Sequence, residues 1–174
     1  MLLKRIIYFS LTFLSAIILI ARVGWCEDIG AAPASLQAAL FLKLLAFDKN
    51  IAAGSSVTIY VVGASKFATE MKKTEGKPLG GATLAKVLEG DGVPTEIPSV
   101  IYIGTEVNLK EVLAYTKSNK VLSITGNPAL VSKGVSLIVG VSDAKPKVLI
   151  DPSASKDEGI EWNPAIFKVA VTTK

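Results

Sequence analysis

The chain has 174 residues and a formal net charge of +4, contains no histidine, and has Cys26 as its single cysteine and Arg22 as its last arginine. Without histidine or further thiols, the common zinc sites, thiolate nucleophiles and serine–histidine arrangements are excluded. Without arginine beyond residue 22, no guanidinium group in the rest of the chain can form bidentate hydrogen bonds with a phosphate or carboxylate. The composition therefore argues against an enzyme, and we expect no catalytic residues, no cofactor and no metal site.

The beginning of the chain has the pattern of a secretory signal peptide. Lys4 and Arg5 precede an uncharged apolar run at 6–21, and Gly24 and Cys26 are the small residues ahead of an acidic start. The run is shorter than the roughly 20 residues that span a bilayer as a helix. We therefore expect the first 26 residues to be cleaved on export to the periplasm, with an uncleaved inner-membrane anchor as the alternative.

Removal of this segment leaves 148 residues, with 16 lysines against 15 acidic residues. The near balance of charge gives no reason to expect a nucleic-acid partner. The length suits one domain with a single core. We therefore divide the chain into a signal peptide at 1–26, a short linker at 27–34 and a domain at 35–174.

The domain begins with a predicted helix over Leu36–Phe47, capped by Ser35. It is rich in Leu, Ala and Phe, and its polar residues Gln37 and Lys43 are expected at the surface. The apolar stripe comprises Leu36, Leu40, Leu44 and Phe47. We expect this stripe to pack into the core, with an interface to a partner or to a second copy as the alternative.

Three apolar runs rich in β-branched residues are predicted to be strands covered on both faces, as in a parallel sheet. They cover Val57–Val62, Val100–Ile103 and Val121–Thr125, and a glycine follows each of them. Helices are predicted after the first two, over Lys66–Thr74 and Glu106–Asn119. This alternation indicates an α/β layer structure whose strand ends gather at one edge.

The remaining elements are shorter. Ala82–Leu88 fits a strand or a helix by propensity, and its context favours a strand. A helical turn is predicted over Asn127–Lys133. A hairpin is predicted from Val135–Val141 and Lys147–Ile150 around the turn at Ser142–Ala144.

Two Asx-Pro pairs, beginning at Asp151 and Asn163, predict two short C-terminal helices, because each pair joins a capping side chain to a proline. The second helix is expected to bring four residues onto the core: Ile166, Phe167, Val169 and Ala170. Trp162 is expected to pack into the core. The alternative is that its side chain is an anchor at an interface with a partner. The adjacent carboxylates Asp157 and Glu158 are expected to be solvated.

The expected fold is a single α/β domain, with a mainly parallel central sheet flanked by helices and a C-terminal hairpin followed by helices. At the carboxyl edge of such a sheet, hydroxyls and backbone N–H groups can line a crevice for a small ligand. The candidate residues are Gly63, Ser65, Gly104, Thr105, Gly126 and Asn127. The alternative is that they only form turns and helix caps. Neither G-x-G-x-x-G nor the Walker lysine motif is present, which argues against nucleotide binding.

Five segments follow one another in the order and spacing of a known family. They are Leu40–Asp48, Val57–Gly63, Ser99–Thr105, Val121–Ile124 and Asn163–Ala170. The ordered set resembles the YfiR-like family of secreted bacterial proteins. The resemblance extends over essentially the whole chain after the signal peptide, and it rests on the set rather than on any single motif.

The resemblance implies a periplasmic regulator rather than an enzyme. Relatives bind the periplasmic part of a membrane diguanylate cyclase and hold it inactive, and an outer-membrane partner relieves this by sequestering the regulator. Relatives also carry disulfides that this chain cannot form, so redox control is not implied. The docking face is expected to be apolar, from five residues: Leu36, Leu40, Leu44, Phe47 and Trp162. A periplasmic small-ligand receptor using the crevice is the alternative from another class.

Overall fold

The computed structural model describes residues 29–51 and 53–173, which form one mixed α/β domain. Its strands are β1 (Gly30–Ala31), β2 (Ser56–Val62), β3 (Pro78–Leu79), β4 (Ala82–Gly90), β5 (Val100–Ile103), β6 (Leu122–Thr125), β7 (Leu137–Ser142), β8 (Lys145–Ile150) and β9 (Val171–Thr172). Its α-helices are α1 (Ala34–Leu44), α2 (Ser65–Lys72), α3 (Leu109–Asn119) and α4 (Pro152–Asp157). Three 3₁₀ helices cover Leu45–Phe47, Pro128–Lys133 and Pro164–Lys168.

The predicted signal segment lies outside the described residues. Within the described part of the chain, none of the helices combines the length and apolarity that a membrane crossing requires.

The centre of the domain is a parallel sheet in which β4, β2, β5, β6 and β7 lie side by side in that order. From β2 the chain moves outward to β4, then returns past β2 and continues through β5 and β6 to β7. The direction of winding therefore reverses between β2 and β5. Such a switch point opens a crevice at the carboxyl ends of the strands. The three predicted core strands are confirmed as neighbours.

The two faces of the sheet are covered by different helices. α1 and α2 pack on one face through Phe41 and Phe67, whereas α3 packs on the other through Val112. Successive residues of β5 alternate between the two hydrophobic clusters: Tyr102 faces α1 and α2, and Ile103 faces the side of α3. Burial on both faces explains why the core strands are unbroken apolar runs.

The C-terminal part contains the predicted hairpin, with β7 and β8 paired antiparallel around Asp143 and Ala144. Both turn residues have positive φ, at 50° and 57°. The two predicted caps are also confirmed: the side chain of Asp151 accepts the N–H groups of Ser153 and Ala154, and the side chain of Asn163 accepts an N–H at the start of its 3₁₀ helix. A strand that we did not predict, β9, then pairs parallel with β8.

Several predicted boundaries shift. α1 begins at Ala34 after Pro33 and has no side-chain cap, so the prediction that Ser35 caps it is wrong. α3 begins at Leu109, three residues later than predicted. The strand interpretation of Ala82–Leu88 is confirmed by β4. Part of the predicted linker forms β1, which pairs with β7.

The prediction that Phe167 and Val169 return to the core is wrong, because their exposed fractions are 46% and 58%. In this segment Ile166 is buried. The segment is a 3₁₀ helix of five residues instead of a longer α-helix, and the chain then passes into the edge strand β9. So short a helix offers little inward-facing surface: Ala170 packs against the core as predicted, whereas Val169 and Val171 remain in solvent.

The prediction that Glu158 is solvated is also wrong, because its side chain is fully buried beyond the end of α4. Its Oε2 accepts the backbone N–H of Ser123 at 2.9 Å and the hydroxyl of Ser136. Within the described part of the chain, its Oε1 has no hydrogen-bond partner. Burial raises the pKa of Glu158, and the hydrogen bonds from the two serines act in the opposite direction. One carboxyl group therefore joins the end of α4 to β6 and to the start of β7.

Candidate functional site

The carboxyl ends of β2, β5 and β6 open into one cavity of about 530 Å³ at the switch point. Its lining includes all six residues of the predicted crevice: Gly63, Ser65, Gly104, Thr105, Gly126 and Asn127. Ala32 and the first turns of α1 also line it. We call this cavity the switch-point crevice. The structure brings the six residues together because parallel strands end at the same edge of the sheet.

The floor of the switch-point crevice is a buried polar pair, Gln37 and Tyr102. The Tyr102 hydroxyl donates to Gln37 Oε1 at 2.7 Å and accepts the N–H of Gly126 at 3.2 Å. Gln37 Nε2 donates to the carbonyl oxygen of Ala32 at 2.6 Å. Burial is the main cause that raises the pKa of Tyr102 to about 12, so its hydroxyl remains a donor at neutral pH.

The prediction that Gln37 lies at the surface is therefore wrong. Both ends of its amide have partners inside the domain, and this pairing offsets the cost of removing a polar group from water. Gln37 and Tyr102 are 65 residues apart, so no local pattern in the sequence reports their contact.

Three aromatic rings hold this floor in place. The rings of Phe67 and Tyr102 are stacked, with centroids 3.7 Å apart and an interplanar angle of 14°. Phe41 packs edge-on against both rings, at 5.9 Å and 6.0 Å. Such pairs contribute roughly 0.5–1.5 kcal/mol each beyond the burial of area. The cluster joins α1, α2 and β5 into a rigid base.

The glycines of the switch-point crevice have packing roles of their own. Gly63 has a φ of +65°, a conformation that favours glycine. A Cβ atom at Gly104 would collide with the carbonyl oxygen of Gly63, and one at Gly126 would collide with the side chain of Gln37. Close approach of the strand ends therefore requires these glycines whether or not a ligand binds.

The lining of the switch-point crevice includes polar groups and one lysine. Ser65 and Lys66 come from the first turn of α2, and Ala64 at its N-cap provides no side-chain hydrogen bond. The helix dipole and the lysine together favour an anionic group at this position, and the carboxylate of Glu89, whose pKa is lowered by hydrogen bonds with Ser65 and Lys72, lies beside the same turn. Among the described residues, no group of three or more His, Cys, Asp or Glu side chains is arranged to hold a metal ion.

The five predicted interface residues do not all reach the surface. Leu44 is buried in the core, so its assignment to a docking face is wrong for the folded domain. The other four are partly buried against the same core: Leu36, Leu40, Phe47 and Trp162. Trp162 Nε1 donates to Ser155 Oγ at 3.0 Å, so one edge of this ring is fixed inside the domain.

The large hydrophobic side chains most exposed in the described part of the chain lie elsewhere: Ile97, Phe167, Val169 and Val171. We call Phe167, Val169 and Val171 the C-terminal apolar patch. Sequence reasoning missed this patch because helical periodicity placed two of its members inside. The sequence does contain a signal for the patch. Phe167, Val169 and Val171 occur at every second residue, and this spacing is not that of one face of a helix.

Comparison with known proteins gives a family match and a fold match. A family model described as YfiR/HmsC-like matches residues 34–171. No curated protein matches the sequence significantly. A solved conserved domain protein from Vibrio cholerae O1 biovar El Tor str. N16961 is similar with a TM-score of 0.56 and 15% identity, over 83% of this chain and 61% of that chain. At this identity the likeness shows the α/β fold alone.

A second solved structure is the ABC domain in complex with L-Trp from Streptococcus pneumonia, with a TM-score of 0.49 and 14% identity, over 80% of this chain and 61% of that chain. The chain therefore spans 61% of the length of each of these two structures.

Proposed function

Because the chain belongs to the YfiR/HmsC-like family, we propose that it is a non-catalytic periplasmic regulator that binds the extracytoplasmic part of a membrane diguanylate cyclase and represses it. The observation that carries this proposal is the family match over residues 34–171, which includes every helix of the domain and its central sheet. Repression requires that the regulator bind the inactive form of the cyclase more tightly than the active form, and so shift the population. An outer-membrane protein that sequesters the regulator would reverse the effect.

The docking surface that we propose is the C-terminal apolar patch together with the exposed parts of Phe47 and Trp162. The backbone N–H of Asn163 donates to the carbonyl oxygen of Phe47 at 2.8 Å, and Trp162 forms a β-bridge with Asp48, so these two aromatic residues belong to one side of the domain. The C-terminal apolar patch follows within the same segment. Exposed aromatic and aliphatic side chains are the anchors that protein interfaces bury.

Substitution of Phe167 by Glu is expected to weaken binding to the cyclase without unfolding the regulator. Loss of a buried aromatic anchor costs about 2 kcal/mol, or roughly 30-fold in Kd. Because Phe167 is exposed in the free domain, the free energy of unfolding should change by less than about 0.5 kcal/mol. The measurement is affinity purification from the membrane fraction, with mass spectrometry of the captured proteins.

The matched control is Ala85→Glu, which places the same charge at an exposed position of β4, near the opposite edge of the sheet. This variant should capture a cyclase-type membrane protein as the wild type does. Equal capture by the Phe167→Glu variant would rule out the C-terminal apolar patch as the docking surface.

A second candidate function, a periplasmic small-ligand receptor, is favoured by the presence of all six crevice residues on the lining of one cavity at the switch point. The cavity has hydroxyl groups, a lysine and an aromatic floor, which suit a small ligand with an anionic group. A receptor of this kind would be stabilised by its ligand through mass action.

For this second function, a thermal-stability screen with small anionic metabolites is expected to raise the Tm of the purified domain. A ligand at 100 times its Kd stabilises by about 2.7 kcal/mol. The Thr105→Trp variant, which fills the exposed mouth of the crevice, should lose the shift while its Tm without ligand stays unchanged. A shift that persists in this variant would place the ligand elsewhere.

A further inference from the structure

A second cavity, of about 250 Å³, lies at the amino ends of the parallel strands, at the end of the sheet opposite to the switch-point crevice. Ser56 and Val57 of β2, Ser99 before β5 and Val121 before β6 line it. Ile51 and Ile160 add apolar walls. We call it the amino-end cavity. Neither the family match nor the proposed docking surface gives it a role.

The amino-end cavity contains a carboxylate that is held in place and that forms no ion pair within the part of the chain that the structure describes. Asp48 is only 5% exposed, and its Oδ1 accepts the backbone N–H of Asn50 at 2.9 Å. Among the described residues, no ion pair includes Asp48. Its bridge to Trp162 and the bond from Asn50 Nδ2 to the carbonyl oxygen of Gly159 fix the surrounding loop. Burial raises the pKa of Asp48, and the hydrogen bond from the Asn50 N–H acts in the opposite direction.

The same cavity contains a lysine, Lys120, at the C-terminal end of α3. Its Nζ donates to the backbone carbonyl oxygen of Asp157 at 2.8 Å. An ammonium group has three N–H donors, so two remain for another acceptor. Asp48 and Lys120 therefore both line one cavity, and no ion pair in the described part of the chain joins them.

We propose that the amino-end cavity binds a small zwitterionic amino acid, with its ammonium group on Asp48 and its carboxylate on Lys120. The ligand's ammonium would supply the partner that a buried carboxylate requires. A cavity of about 250 Å³ is smaller than the roughly 300–1,000 Å³ of sites for drug-sized ligands, so it favours a small ligand. Glycine, alanine and valine are small amino acids, and Val57 and Ile160 provide an apolar wall for a short side chain.

The test is calorimetric titration of the folded domain with glycine, alanine and valine, and with propylamine and propionate as ligands that carry only one of the two charges. We expect at least one of the amino acids to bind saturably, and the two single-charge compounds to bind at least tenfold more weakly. The comparison among ligands uses the wild-type chain and does not depend on the stability of any variant.

Two variants locate the site. Asp48→Asn keeps an oxygen acceptor for the Asn50 N–H, and Lys120→Met keeps the aliphatic stem beside Gly159. Each should lower the affinity for the amino acid at least tenfold. The control is Lys117→Met, because Lys117 pairs with Asp157 and does not line the cavity. It should bind like the wild type.

Three results would overturn the proposal. The first is the absence of saturable binding by all three amino acids. The second is binding of propylamine or propionate as tight as that of the amino acid, since one of the two charges would then have no role. The third is unchanged affinity in the folded Asp48→Asn or Lys120→Met variant, which would place the ligand outside the amino-end cavity.

Discussion

Substitution of Gly104 by Ala is expected to destabilise the domain by about 3 kcal/mol, at the upper end of the usual cost of overpacking. Gly104 is buried, and its N–H donates to the carbonyl oxygen of Val62 at 2.8 Å. A Cβ atom there would collide with the backbone of Gly63. The Cβ atom is fixed directly to the Gly104 backbone, and it meets backbone atoms of Gly63. The collision can therefore be relieved only if the ends of β2 and β5 separate.

Denaturant unfolding measures the loss in the free energy of unfolding. In thermal unfolding, the same loss should lower the Tm by about 10 °C for a domain of this size. Gly92→Ala is the matched control, because a Cβ atom at Gly92 meets no atom within 4 Å and its φ is not positive. That variant should unfold like the wild type. A Gly104→Ala protein as stable as the Gly92→Ala protein would show that the strand ends are not packed as described.

The second large effect is expected at Glu158, whose substitution by Ala should cost about 3 kcal/mol. The change removes the acceptor of the Ser123 N–H and of the Ser136 hydroxyl, and both serines are buried. A buried donor without a partner costs about 1–3 kcal/mol. Glu158→Gln keeps an acceptor oxygen at nearly the same position, so it should cost less. Equal stability losses for the two variants would contradict this account of the carboxyl group.

The same residue predicts a dependence of stability on pH. The pKa of Glu158 is raised in the folded domain from its ordinary value of 4.5, so folding favours the protonated acid. This contribution is complete below the unfolded-state pKa and is lost as the pH rises through the folded-state pKa. Glu158→Gln has no such proton to lose, so the free energy of unfolding of the wild type relative to this variant should fall as the pH rises from 4 to 8. Parallel pH curves for the two proteins would contradict the prediction.

The central sheet could be predicted because its strands carry their own signal. A run such as Val100–Ile103 is apolar at every position, which indicates burial on both faces, and the structure places it in the middle of the parallel strands. The caps at Asp151 and Asn163 were also predictable, because their hydrogen bonds reach only two or three residues along the chain.

What could not be predicted depends on contacts between distant parts of the chain. Gln37 is buried because it meets Tyr102, and Glu158 is buried because it meets Ser123, which is 35 residues away. Neither partner is visible from the local pattern of polar and apolar residues. The prediction that Phe167 lies in the core rests on helical periodicity after the Asn163–Pro164 pair, whereas tertiary structure forms a short 3₁₀ helix and an edge strand there.

The position of the switch-point crevice followed from a simple rule, whereas its role did not. Glycines after Val62, Ile103 and Thr125 end three strands at one edge, and parallel strands bring those ends together. The same glycines have structural reasons that need no ligand: the positive φ of Gly63, the backbone contact of Gly104 and the contact of Gly126 with the Gln37 side chain. Their presence alone therefore does not distinguish a binding site from close packing, which is why ligand-dependent stabilisation is the necessary measurement.

The most direct test of the proposed regulator is the cellular level of cyclic di-GMP in a strain that lacks this protein. We expect the level to rise on deletion, to return to the original value when the wild-type chain is restored, and to remain high with the Phe167→Glu variant. The Ala85→Glu variant should restore it. A level that does not change on deletion, in cells that normally contain the folded protein, would contradict its role as a repressor of a diguanylate cyclase.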